Sequence, residues 1–174
     1  MENLAFVVGI LAVTLYFVSY QQRKRKNIIL FNATSRILYI IQYILLDAFE
    51  GAVLDICGAI SSILANNKDK GFIKKHLKLI VILINILIAI FGLMMYKNIF
   101  SICPIVGVIL HTSAFWITDE KMIRRVSLLG SPFWMIYNIY SRAYGSVIGD
   151  ALSIISIATA IYRYDVRRNK FETK

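Results

Sequence analysis

Apolar residues run along this chain in seven long stretches separated by short polar clusters. The stretches cover residues 4–20, 28–46, 51–65, 79–96, 99–117, 126–140 and 145–162. A helix that crosses a bilayer needs about 20 apolar residues, within a range of about 17–25. The stretches at 51–65 and 126–140 fall short of that. Asn66 and Asn67 extend the first, and Arg124 and Arg125 the second, with side chains that reach the interface. Almost no stretch shows the polar face at a 3.6-residue period that a helix of a water-soluble protein presents. The pattern therefore predicts an all-α polytopic membrane protein with seven transmembrane helices.

Composition agrees. The chain is 58% hydrophobic and 17% charged, whereas a soluble domain carries about 25% charged residues. Those values exclude a disordered chain and an ordinary cytosolic enzyme. A net charge of +10 would suit a nucleic-acid partner, but the charges sit between the apolar stretches. They are read as topology signals and anionic lipid contacts, with the bilayer as partner and no nucleic acid.

The basic residues fix an orientation. Seventeen of the 20 fall in the first, third and fifth connections or after residue 162, and only Lys97 and Arg142 lie in connections on the other side. Basic residues favour the cytoplasmic face, so the N-terminus is expected outside and the C-terminus inside. Met1-Glu2-Asn3 offers no basic leader segment, and the first stretch is read as a retained helix. Cys57 and Cys103 fall inside predicted helices and are expected to pack as small apolar residues, without a disulfide.

An ungapped shift of 95 residues lays the first three stretches on the last three. Lys26 falls on Lys121, Ile41 on Ile136, Ala48 on Ala143, Asp55 on Asp150 and Ser61 on Ser156. Two intramembrane aspartates coincide, and each half has a long basic connection followed by a tight hairpin. Three helices invert a repeat and one extra helix restores it, so the two copies are parallel. The expected organisation is one membrane domain, 1–174. Repeat 1 lies within 4–66, a linker helix at 79–96, repeat 2 within 99–162, and a basic cytoplasmic tail at 163–174.

This 3+1+3 plan resembles the SWEET and PQ-loop superfamily and the PnuC transporters. The second half more closely resembles the YgjV family of bacterial inner-membrane proteins. That resemblance is carried by Pro104-Ile105-Val106-Gly107, by Phe133-Trp134-Met135-Ile136-Tyr137-Asn138 and by Gly145-Ser146-Val147-Ile148-Gly149-Asp150. It implies a bacterial plasma-membrane location. In the SWEET-like pattern an aromatic on the second helix and an asparagine on the third helix of each repeat face a central pocket. Trp134 and Asp150 match those positions, with Tyr39 and Asp55 as counterparts; both asparagines are replaced by aspartate. The resemblance also suggests proline hinges. Pro104 and Pro132 are the candidates, and the first-half counterpart of Pro132 is Ile37, preceded by Arg36.

Residue counting supports the pocket independently. Trp134 and Asp150 each lie about eight residues from the turn near Arg142, roughly 12 Å deep at 1.5 Å per residue. Tyr39 and Asp55 straddle the first hairpin in the same way. Arg36 lies mid-helix, where arginine costs about 2.5–3.5 kcal/mol on insertion scales. Asp55 is its nearest acidic candidate, and the pair either locks two helices or takes part in substrate or proton binding. Asp150 has no matching base, since Ser131 stands where Arg36 would. It is expected to be protonated or neutralised by a cation.

His111 is read as a bond to a neighbouring helix or a ligand contact. Asn138, Gln42 and Tyr137 form an outer vestibule or interhelical bonds, Asn85 a helix–helix contact, and Trp116 an interfacial belt residue or a gate. No enzyme motif appears, and two histidines and two cysteines on different helices do not make a metal set. No enzyme activity, cofactor or metal is expected. The leading expectation is transport of a small polar molecule, sugar-, nucleoside- or small-cation-like, by alternating access. A non-transporting recognition or assembly protein on the same fold is the alternative, and a homo-oligomer is left open.

Overall fold

Apolar length, more than side-chain capping, sets the helices, and most of them start without a hydrogen bond from the N-cap side chain. The computed structural model describes residues 2–166, and these are helical without a strand. Arg167, Arg168, Lys170 and Lys174 of the expected basic tail lie outside the described residues. The long helices are α1 (Glu2–Tyr20), α2 (Arg25–Leu45) and α3 (Phe49–Asn66). A short α4 (Gly71–Lys75) precedes α5 (Leu77–Met94). A single 3-10 turn, Ile99–Ser101, then leads into α6 (Ile102–Trp116), followed by α7 (Glu120–Tyr140) and α8 (Tyr144–Ala160). A wide π-helical turn, Ile161–Val166, continues α8 into the first residues of the expected tail.

Among the described residues, six helices are long and apolar enough to cross a membrane: α1, α2, α3, α5, α6 with its 3-10 turn, and α8 with its π turn. Helix α7 has the length, 21 residues, but its first turns hold Glu120, Lys121, Arg124 and Arg125. It starts six residues before the apolar stretch, because the Asp119 carboxylate accepts from the Lys121 amide at 3.0 Å and caps it. The linker helix starts and ends two residues earlier than expected. Asn98 and Ser101 form a reciprocal capping box over the 3-10 turn, and that polar cap takes Tyr96 out of α5.

Both tight hairpins have one construction. The Ala48 amide donates to Tyr43 O, and the Ala143 amide to Asn138 O, each at 2.9 Å. Asp47 (φ 55°) and Arg142 (φ 57°) occupy the left-handed position between. This is the six-to-one closure of a Schellman motif, where glycine is usual. The 95-residue shift carries one hairpin onto the other.

Six helices close a ring. Within the first half α1 packs on α2 and α2 on α3; within the second α6 packs on α7 and α7 on α8. The halves meet at α1–α8 and α3–α6, contacts that exchange under the same shift. Helix α5 lies outside against α3 and α6, and Leu79, Ile82, Leu83, Ile86, Leu87 and Ile90 leave its apolar surface exposed. One core cluster, around Tyr39, Tyr43, Trp134 and Tyr137, lies toward the hairpins. A second, around Tyr20, Ile28, Phe115, Ile123 and Ile157, lies at the opposite end.

Several basic residues are structural at that opposite end. Arg25 donates to Ala65 O at 2.7 Å, to Ile117 O at 2.9 Å and to Phe115 O. Lys68 donates to Trp116 O at 2.9 Å and to the Thr118 hydroxyl at 2.7 Å. These cations satisfy carbonyls that the ends of α3 and α6 leave free. Burial, with the Arg25 charge nearby, pushes the Lys68 ammonium below its ordinary range. Arg124 was expected to reach the interface. It is instead buried, paired with Asp165 at 2.9 Å and bonded to Gln22 O at 3.3 Å.

Candidate functional site

The ring encloses a cavity between α2 and α7. Tyr39, Asp55, Trp134, Asp150, Arg36, Asn138 and His111, the residues singled out from the sequence, all line it. Tyr16 and Tyr43 complete the wall. Neither was singled out, although a signal existed: they are the 95-residue counterparts of His111 and Asn138. The cavity is small, about 30 Å³, against about 10–15 Å³ needed for one water. In this conformation it holds a water-sized group and is too tight for a sugar or nucleoside.

Its charge is asymmetric. The Arg36 guanidinium bonds Asp55 and also donates to Asn32 Oδ1 at 3.2 Å. Gly58 makes this possible, because a Cβ there would lie 2.8 Å from Arg36 Cζ. On the other side the Asp150 Oδ2 accepts from Asn138 Nδ2 at 2.7 Å, and Asn138 Oδ1 accepts from the Tyr43 hydroxyl at 2.8 Å. Among the described residues, no ion pair involves Asp150. Ser131, at the place equivalent to Arg36, turns back on its own helix and donates to Ser127 O at 3.0 Å. One guanidinium thus faces two carboxylates.

An aromatic wall lies beside them. Tyr39 and Tyr43 are 6.3 Å apart at 26°, and Tyr43 and Trp134 are 6.2 Å apart at 19°. Gly107 seats the indole: a Cβ there would be 2.7 Å from Trp134 Cδ1. His111 is wholly buried, with the Tyr16 hydroxyl 3.3 Å from its ring nitrogens and the Tyr20 hydroxyl 3.2 Å from Nδ1. It therefore bonds a neighbouring helix and lines the cavity at once. Asp55, Asp150 and His111 share this space, yet no group of three His, Cys, Asp or Glu among the described residues is placed to hold a metal ion.

Paired hydrogen bonds close the ring above and below. At the hairpin end the Ser146 hydroxyl donates to Gln42 Oε1 at 2.8 Å, and the Gly51 amide donates to the Tyr137 hydroxyl at 3.2 Å. At the opposite end Gln21 Nε2 donates to the Ser156 hydroxyl at 2.8 Å, and Trp116 Nε1 to the Ser61 hydroxyl at 3.1 Å. Each pair consists of two cross-half bonds that the 95-residue shift interchanges. Trp116 is accordingly buried and bonded inside the ring, not placed in an interfacial belt. Gln42, Tyr137 and Asn138 bond between helices. Glu50, which the sequence did not flag, is buried at the hairpin end. It accepts from the Tyr137 hydroxyl at 3.2 Å and lies 3.5 Å from the Lys97 ammonium.

The expected hinge prolines sit differently. Pro104 is the third residue of α6, where proline removes no intrahelical bond, while Pro132 lies inside α7 and frees the carbonyl four residues earlier. Bending is thus favoured at Pro132 alone. Asn85 on α5 accepts from the Ser113 hydroxyl on α6 at 3.4 Å, the contact expected of it.

No curated protein and no solved structure matches the chain. A family model described as Imp-YgjV, bacterial inner membrane protein, matches residues 3–168. With nearly its whole length covered by that model, the chain belongs to the YgjV family of bacterial inner membrane proteins.

Proposed function

We propose that the protein transports a small polar molecule by alternating access through the cavity between α2 and α7. In this reading all seven long helices span the bilayer in a SWEET-like 3+1+3 plan, with α7 the seventh. The N-terminus and the hairpins face outward, and the C-terminus faces the cytoplasm. The partners are a small-molecule substrate and the bilayer; no enzymatic step is invoked.

One observation carries the proposal. A buried cavity lined by aromatic and charged side chains lies between two closures, each of which includes a symmetric pair of hydrogen bonds that join the halves. Alternating access needs such closures, because opening one while keeping the other exposes the site to one face at a time. Helix α7 is amphipathic within the ring: Ser127, Ser131, Trp134 and Asn138 face inward, while Leu129, Ile136 and Ile139 face out. That supports a spanning role despite its charged first turns, where Arg124 is neutralised by Asp165.

The test is flux. Protein reconstituted into vesicles should exchange a radiolabelled solute that it also binds in detergent. Saturable binding with no exchange across the membrane would replace transport with a recognition role on the same fold.

A further inference from the structure

We propose that the cavity's occupant is a small protonated amine, with Asp150 as its counter-ion and the aromatic wall of Tyr39, Tyr43 and Trp134 as its lining. The proposal rests on the transport reading for its purpose, and on the charge and shape of the cavity for its chemistry.

Charge comes first. Arg36 is engaged by Asp55 and Asn32 and faces the first half of the ring. Asp150 is 8% exposed, and its Oδ2 has the Asn138 amide. Its Oδ1 accepts no hydrogen bond among the described residues, although the residue lines the cavity. A buried carboxylate with a single neutral donor is costly when ionised. The other titratable groups around it bring no compensating charge. His111 is bonded by Tyr16 and Tyr20, Tyr43 donates to Asn138, and Asp55 is another carboxylate. A cation in the cavity supplies what the protein does not.

Donor chemistry selects the kind of cation. Both ends of the Asn138 amide are engaged. The groups at the cavity without a hydrogen bond among the described residues include the Asp150 Oδ1, the Asp55 Oδ2 and the Tyr39 hydroxyl as acceptors, beside a stack of three rings. A hard metal cation requires about six or more oxygen ligands, and this cavity does not offer them. An ammonium group needs few acceptors for its N–H donors, and aromatic faces attract it directly.

Size agrees. An ammonium group is close to water in bulk and methylammonium is about twice that, and a cavity of about 30 Å³ is about two to three times the ~10–15 Å³ that one water needs. A sugar ring does not fit, and a neutral solute would be accommodated only with Asp150 protonated.

The experiment uses the full chain in detergent at neutral pH, with Trp134 and Trp116 as fluorescent reporters. Methylammonium chloride and sodium chloride are titrated at constant ionic strength, alongside glucose. The expected result is a saturable change with methylammonium only, weakened about tenfold or more in Asp150→Asn and kept in Asp150→Glu. Thermal stabilisation by methylammonium, lost in Trp134→Leu, gives a second readout independent of the Asp150 variants. Equal responses to sodium and methylammonium, saturation by glucose, or an unchanged Asp150→Asn would overturn the proposal. Uptake of radiolabelled methylammonium into vesicles separates this from the transport reading. Binding without uptake removes transport and leaves the amine site, whereas glucose flux without methylammonium binding does the reverse.

Discussion

Tyr43 on α2 and Asn138 on α7 stand 95 positions apart and touch, the Tyr43 hydroxyl donating to Asn138 Oδ1 at 2.8 Å. Tyr16 and His111 are also 95 apart and touch. Residues meet their own counterparts only where an axis relating two halves passes between them, so these pairs put such an axis through the cavity. Removing the Tyr43 hydroxyl leaves the Asn138 carbonyl unsatisfied in a buried site, at a cost of about 1–3 kcal/mol. Tyr43→Phe is expected to lower the thermal midpoint and to loosen the Asn138 amide that holds Asp150. A midpoint equal to that of the unaltered protein would mean that water replaces the bond.

The two aspartates should respond differently to neutralisation. Asp55→Asn strands the Arg36 guanidinium, and losing one partner of a buried pair costs about 3–5 kcal/mol. Its folded yield should fall. Replacing Arg36 by Met together with Asp55 by Leu should restore it. Asp150→Asn removes no ion pair and should fold normally. Size-exclusion profiles of the variants decide the matter. A well-folded Asp55→Asn beside an aggregated Asp150→Asn would reverse the assignment.

The closures predict sided accessibility. A cysteine at position 39, with Cys57 and Cys103 replaced, should react slowly with a membrane-impermeant maleimide from either face. Gln42→Ala with Tyr137→Phe removes the Ser146–Gln42 and Gly51–Tyr137 bonds at the hairpin end together with the Tyr137–Glu50 bond. Three bonds at about 1 kcal/mol each shift the balance on the order of a hundredfold, and labelling from the hairpin face should rise accordingly. Gln21→Ala with Trp116→Phe should raise labelling from the opposite face instead. Equal increases from both faces would mean general loosening.

Buried charge at the end of α8 gives a stability prediction. Asp165 sits on the π-helical turn and pairs with Arg124. Asp165→Asn should destabilise the protein by about 3–5 kcal/mol. Replacing exposed Arg125 in the same turn of α7 should change it by less than about 0.5 kcal/mol. Denaturation midpoints compare the two directly.

Orientation is tested by an epitope tag after Lys174. It should be shielded in intact cells and detected once the membrane is permeabilised. Detection in intact cells would reverse the inside and outside faces proposed here.

The sequence revealed the helices and the cavity residues because both follow from depth. Apolar length sets the spans, and counting from the hairpins put Tyr39, Asp55, Trp134 and Asp150 at one level. Arg36 stood out because an intramembrane arginine demands a partner. The hydrogen-bonded closures were not legible. Gln21, Ser61, Trp116 and Ser156 are ordinary interfacial or small residues until the ring brings α1 against α8 and α3 against α6. Burial of Arg124 was hidden because its partner, Asp165, lies beyond the last apolar stretch. Glu50 was hidden for a similar reason: a hairpin carboxylate reads as solvent-facing until Tyr137 closes over it.

Helix α5 joins the two halves while standing outside the ring that they form, with only 11% of its apolar span buried. Its main service to the fold is then connectivity: it joins the two halves and keeps them near one another. Two separate polypeptides confined to the same membrane already have much of that advantage. A cut in the exposed segment at 71–75 would leave Lys68 on α6 and spare every bond across the ring. Residues 1–70 and 71–174, made as separate chains in one cell, should therefore find each other and co-purify as a working pair.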